Sequence, residues 1–305
     1  MSIELIAYTR NVEETSLLIH DVNIDSVICG HSMFSLRTLG DVDLDELIEI
    51  RKLTNQYNKK LYVSVNAIFH EDMLDELTSY INKLDALQVD AIIFGDPGVM
   101  SIVKEQHIKT KLFYHPETLA TNYETLRFWQ DIGVDRVVLS NELSLDEIIE
   151  IQNNLAIPVE VQVQGMTCIF QSKRPLVSNY YQYTSMNKEE KNAYFIRQAK
   201  EDDTHYPIFE DVNGTHIMST NDICMLKHLP QLFDNGICKI RVNGFLKSMD
   251  YNVEMAKCYR EAINVYMEDS DIYASQVTQL MEKIEAMQPK QRKLDTGFYY
   301  KKQIY

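Results

Sequence analysis

The chain has no apolar run near the ~20 residues that cross a bilayer, so no membrane span is expected. Its start, MSIELIAYTRNVEE, has no basic segment leading into a long apolar stretch, and no secretory signal is expected. Glycine (10) and proline (7) are scarce among 305 residues, which excludes fibrous and low-complexity chains. The five cysteines, Cys29, Cys168, Cys224, Cys238 and Cys258, form an odd, scattered set without a CxxC pair, as in a reduced cytoplasmic protein. HExxH and GxSxG are absent, and no two of the eight histidines stand four apart. Zinc-protease and serine-hydrolase chemistry therefore gain no support, and no metal site is expected. Basic residues are in the minority, 30 against 45 acidic, for a net charge of −15. Indiscriminate nucleic-acid binding is disfavoured. One local exception is the tail, where Lys290, Arg292, Lys293, Lys301 and Lys302 interleave with Tyr299 and Tyr300 against Asp295. It either contacts phosphates and bases or packs its aromatics on the domain.

What the chain has is a repeat of strand then helix. β-rich runs occur at Glu4–Tyr8, Ser26–Gly30, Lys60–Val65, Ala91–Gly95, Leu112–His115, Arg136–Ser140, Val159–Gln164 and Lys239–Asn243. Several are continuously apolar, as strands covered on both faces should be. Between them lie amphipathic segments with start signals: Asp43 before Glu46, and Ser144 before Glu147. Eight such units predict a (β/α)₈ TIM-like barrel. Residues 165–237 separate the last two runs, far more than one crossover helix requires. The expected layout is a barrel over 1–270, an inserted subdomain at 165–236 over the C-terminal mouth, and a terminal helix and tail at 271–305. Within the insertion a helix is predicted over Ile223–Phe233.

A barrel gathers its strand ends at one mouth. Tyr8, His31, Asn66, His70, Asp96, His115, Glu117, Asn141, Glu142, Gln164, Cys168, Asn243 and Lys247 should converge there. His115 suits acid–base work near neutral pH or simple hydrogen bonding. Cys168 follows a glycine turn. It is either a buried structural thiol or a nucleophile whose pKa Lys173 or Arg174 would have to lower.

Ser64-Val65-Asn66 with His70, Phe94-Gly95-Asp96-Pro97-Gly98, Val138–Ser144, Glu160–Ser178 and Asn243–Ser248 together resemble the U32 peptidase-like, or collagenase-like, family. The segments GMTCIFQSKR and FEDVNGTHIMS and the ending LDTGF resemble the shorter member of paired proteins in low-GC Gram-positive bacteria. That resemblance implies a part in prephenate-dependent 5-hydroxylation of the tRNA wobble uridine (U34), alongside a longer, cluster-bearing homologue in a hetero-oligomer. The alternatives it leaves are a U32-type hydrolase and a non-catalytic scaffold subunit. At the rim the candidates are Cys168, His115, Asn66 and Gln164 as catalytic or ligand-orienting residues. Lys173, Arg174, Arg241, Asn243, Lys247 and Asp96 would contact substrate, as tRNA phosphates or a small carboxylate require.

The departures are equally specific. Family members with an iron–sulfur cluster use four cysteines. Cys168 matches the first and Cys224 the last, but Pro175 stands where the second is expected, and no cysteine falls near Lys191–Ala193 for the third. Gln164 replaces a histidine, and Asn243-Gly244-Phe245 replaces Glu-Gly-Arg. A four-cysteine cluster is therefore not supported, and no cofactor is expected to be bound by this chain alone.

Overall fold

The computed structural model describes residues 2–117, 119–186, 194–198 and 201–301. Seven strands follow in order: β1 (Glu4–Tyr8), β2 (Ser26–Cys29), β3 (Lys60–Val65), β4 (Ala91–Phe94), β5 (Lys111–Tyr114), β6 (Arg136–Val138) and β7 (Val159–Gly165). Each is parallel to the next. The chain then leaves the barrel. β8 (Cys168–Ser172), β9 (Tyr194–Gln198), β10 (Glu201–Asp211) and β11 (Gly214–Met218) form a separate antiparallel sheet in the order β8-β11-β10-β9. After the short β12 (Asp222–Cys224), β13 (Lys239–Val242) pairs in parallel with both β7 and β1 and closes the ring. The eight-stranded closed barrel with an insertion after its seventh strand is the architecture the strand–helix repeat predicts. A two-residue strand, β14 (Leu294–Asp295), pairs with β12.

Helices α1 (Val12–Val22), α2 (Leu44–Gln56), α3 (Leu74–Ala86), α4 (Pro97–Glu105), α5 (Tyr123–Asp131) and α6 (Leu145–Asn154) cover the strands. α7 (Leu176–Thr184) lies in the insertion, α8 (Leu229–Phe233) precedes β13, and α9 (Met249–Glu268) and α10 (Tyr273–Met287) follow it. Side-chain caps set their starts. Asp43 accepts from the Glu46 N–H, and Ser144 with Glu147 makes a full capping box. No described helix is long and apolar enough to cross a membrane.

The helix read over Ile223–Phe233 begins only at Leu229. Ile223 and Cys224 instead pair with Gly165 and Gln164 as antiparallel strand, and the Asp222 N–H donates to the Lys293 carbonyl. These partners give the segment's backbone groups a strand's hydrogen bonds before a helix can claim them. Pro230 then suits a helix start, where its missing N–H costs nothing.

The described part of the tail, to Lys301, packs on the barrel, and Lys302 lies outside the described residues. Tyr299 is buried and donates to the Gln162 carbonyl at 2.9 Å, while Arg292 pairs with Asp222. Gly165 stands at φ +112°, where an added Cβ would collide with the Asn243 carbonyl; the glycine lets the chain turn out of β7 beside β13.

Two materials fill the barrel. On β1 to β5, Ile6, Tyr8, Ile28, Tyr62, Ala91, Ile93 and Phe113 make an apolar cluster. On β1, β6, β7 and β13 a ladder of alternating charge runs along the axis. Glu4 Oε2 meets Arg136 Nη2 at 2.8 Å, Arg136 Nη1 meets Glu160 Oε2 at 2.9 Å, and Arg241 Nε donates to Glu160 Oε1 at 2.6 Å. Every ladder side chain is at most 6% exposed. Each buried charge therefore needs its opposite.

Candidate functional site at the barrel mouth

The top rung of the ladder becomes the floor of the mouth. Arg241 Nη1 donates to the Tyr8 hydroxyl at 2.9 Å and to His115 Nδ1 at 3.4 Å. A guanidinium only donates, so Nδ1 is the acceptor and the His115 proton sits on Nε2. Burial, reinforced by Arg241 and Arg37, pulls the His115 pKa down to about 4 against the opposing pull of Glu117. The ring is neutral at neutral pH and offers an N–H.

Glu117, two residues on, holds φ +65°. Its Oε1 lies 2.7 Å from Arg37 Nη2, accepts from Asn66 Nδ2 at 3.1 Å, and stands 3.8 Å from His115 Nε2. Burial alone would raise its pKa, but Arg37, His115 and Arg241 together outweigh burial and hold it at about 2. Arg37 is itself 9% exposed, in a left-handed backbone conformation, and reaches the inserted sheet. Its Nη1 donates to Gln171 Oε1 and to His216 Nδ1, both at 3.1 Å. His216 Nε2 donates in turn to Asp211 Oδ1 at 3.1 Å. Asn213 donates to the carbonyls of Ser32 and Ser35, tying the insertion to the loop that carries Arg37.

Arg37, His115, Glu117 and Gln171 help to line a cavity of about 560 Å³. Its polar lining includes Arg37, Asn66, Asp96, His115, Glu117 and Cys168, and its apolar walls include Leu36, Ile68, Leu119, Ile169 and Phe170. A recess of about 40 Å³ lies deeper, lined by Tyr8, Asn141, Gln162 and Asn243 together with His115 and Cys168. A second hollow of about 560 Å³ lies between His31, Phe34, Tyr80 and the acids Asp43, Asp45 and Glu76. It contains only one of the strand-end residues, His31, so the mouth is the stronger site.

The structure thus brings together Asn66, Asp96, His115, Cys168 and Asn243, with Arg241 beneath them. Asp96 has both oxygens engaged by backbone N–H groups, of Gly98 at 2.8 Å and Phe69 at 3.0 Å, so it shapes the wall. Four residues lie elsewhere. Gln164 is fully buried on the outer side, accepting from the Tyr259 hydroxyl at 3.0 Å. Lys247 Nζ is buried 2.7 Å from Asp222. Lys173 is exposed beside a separate cavity of about 270 Å³ with Ile68, His70 and Asn213, and Arg174 is exposed. Arg37 carries no sequence signal: it stands in a loop without a motif and reaches the mouth only through the tertiary fold.

The cysteines do not fit a four-thiolate cluster. Only Cys168 opens on the mouth, where burial pushes its pKa up despite Arg37 and its thiol donates to the Phe170 carbonyl at 3.3 Å. It is a thiol there, not a nucleophilic thiolate. Cys224 is buried against Tyr259 and Met281. Cys29 is buried, its pKa pushed up to about 12 by desolvation; Cys238 and Cys258 are buried too. Among the described residues no three His, Cys, Asp or Glu side chains group as a metal ion would need.

The site's charge balance predicts a pH response. A histidine whose folded pKa lies below its unfolded 6.5 gives full stability above that pH. The unfolded chain takes the proton first on acidification, so stability falls from about pH 6.5 towards 4. His115 alone should cost about 2 kcal/mol between about pH 7 and 5. Glu117 and Glu4, held at about 2 against 4.5, add a second loss as pH falls from about 4.5 to 2. Urea midpoints across this range should show the first loss in the wild type and a shallower one in His115→Gln. Equal slopes above about pH 4.5 would contradict the assignment.

A closed (β/α)₈ barrel with a polar mouth under an inserted antiparallel sheet is the class to which this protein belongs. Solved structures share the fold: a U32 peptidase matches with a TM-score of 0.51 at 10% identity, covering 80% of this chain and 92% of its own. The family model for peptidase family U32 matches residues 10–304, and the chain belongs to that family. It is similar to tRNA hydroxylation protein P2 of Bacillus subtilis (strain 168), 41% identical over 282 residues that cover 91% of each chain. It is also similar to tRNA hydroxylation protein P1 of the same organism, 26% identical over 285 residues, 92% of this chain and 67% of the longer relative.

Proposed function

We propose that this chain is a cytoplasmic subunit of a system that hydroxylates the tRNA wobble uridine, acting with a longer, cluster-bearing homologue. The 41% identity to tRNA hydroxylation protein P2 across nearly the whole of both chains carries the reading. The mouth is consistent with it. A neutral histidine, an anchored carboxylate and a buried arginine offer directional hydrogen bonds to a small polar ligand. The raised Cys168 pKa and the dispersed cysteines disfavour nucleophilic hydrolysis and cluster chemistry within this subunit. The oxidising group and prephenate then belong to the system as a whole, and this chain supplies recognition.

The test is nucleoside mass spectrometry of tRNA from a strain lacking the gene and any redundant route. Nucleosides derived from 5-hydroxyuridine should fall to background and return on complementation. An unchanged nucleoside profile would overturn the proposal.

A further inference from the structure

Three atoms at the mouth stand open. Glu117 Oε2, His115 Nε2 and Arg37 Nε make no hydrogen bond among the described residues, and none of them is a sealed, buried atom. The other Glu117 oxygen is paired with Arg37 Nη2 and accepts from Asn66, which anchors the carboxylate. His115 is fixed as an Nε2–H donor by Arg241 behind it. The mouth therefore presents one acceptor accompanied by two donors, beside apolar walls that include Phe170, 46% exposed.

We propose that Glu117, with His115 and Arg37, reads the imide edge of a uracil ring. The free Glu117 oxygen accepts N3–H, and the His115 and Arg37 N–H groups donate to the flanking carbonyl oxygens. Cytosine lacks the N3 proton and turns a lone pair towards the carboxylate, leaving a buried acceptor facing an acceptor. A small dicarboxylate fits no better. The positive charges of Arg37 and Arg241 are already balanced by Glu117 and Glu160, and Glu117 repels a second anion. The inference rests on the proposed role in wobble-uridine hydroxylation and assigns Glu117 as its specificity-determining residue.

The experiment titrates the full-length protein with two labelled RNA hairpins that differ only in one loop base, uridine or cytidine, and reads anisotropy. Wild type should favour uridine by about tenfold or more. In Glu117→Gln the N–H groups of Arg37 and Asn66 hold the amide oxygen, so the amide nitrogen turns to the cavity and donates. The preference should then flatten or invert towards cytidine. Glu117→Asp, which keeps the carboxylate on a shorter arm, should bind more weakly and retain the uridine preference, separating recognition from misfolding. Equal binding of both hairpins by wild type, no measurable binding of either, or an unchanged ratio in Glu117→Gln each overturns the inference. The two readings fail separately. If deleting the gene abolishes tRNA hydroxylation but Glu117→Gln restores it in full, the proposed function survives and base reading does not. If deletion changes nothing, the function itself is lost.

Discussion

Glu160→Ala should destabilise the protein by about 3–5 kcal/mol, the range for removing one partner from a buried ion network. Glu160 is fully buried and binds two arginines at once, Arg136 at 2.9 Å and Arg241 at 2.5 Å. Arg136 would keep Glu4, but Arg241 would keep only the Tyr8 hydroxyl and the weak contact to His115. A guanidinium 1% exposed cannot recover hydration in place. It must drag water into the barrel or leave its site. Urea unfolding should show a lower midpoint with an unchanged m-value. A loss under about 1 kcal/mol would show that the ladder is not a coupled network. The same change should disturb the mouth, because Arg241 fixes the His115 tautomer. Stability and recognition are joined at this rung, so a surviving variant should also bind ligand less well.

Much of this fold is readable in the chain because local signals agree with the global pattern. β1 is Glu4–Tyr8 in sequence and in structure, and the caps at Asp43 and Ser144 start α2 and α6 as their spacing implies. Periodicity also says that strand ends converge, which places Asn66, Asp96, His115, Cys168 and Asn243 correctly around one opening. It fails where parity breaks. Glu160 and Gln162 face inward along β7, but the pairing with β13 slips between Arg241 and Val242, and Gln164 turns out towards Tyr259. Lys247 is lost for a related reason: Leu246 takes a left-handed conformation, and the chain folds Lys247 back onto Asp222. Arg37 was invisible because a loop arginine acquires meaning only from partners far away in sequence, Glu117 and His216. The insertion is legible as excess length alone; its antiparallel sheet has no repeat to announce it.

The second large effect concerns the mouth itself. Replacing Arg37 by alanine removes the cation that holds Glu117 ionised and in place, and breaks the bonds to Gln171 and His216 on the inserted sheet. Glu117 then faces burial without its main counter-charge, so its pKa rises and the ionised acceptor the site requires is weakened and no longer held in place. His115→Ala removes the opposing N–H without touching the ladder's charges. Both variants should abolish function in the cell. Tyr183→Ala, at a side chain 90% exposed on α7, should not.

The central claim is that this chain serves tRNA hydroxylation through its barrel mouth. Its most direct test is the 5-hydroxyuridine-derived nucleoside content of tRNA from the deletion strain carrying each variant at matched protein level. The account predicts background levels with Arg37→Ala and His115→Ala and full recovery with Tyr183→Ala. Full recovery with both mouth variants would contradict it.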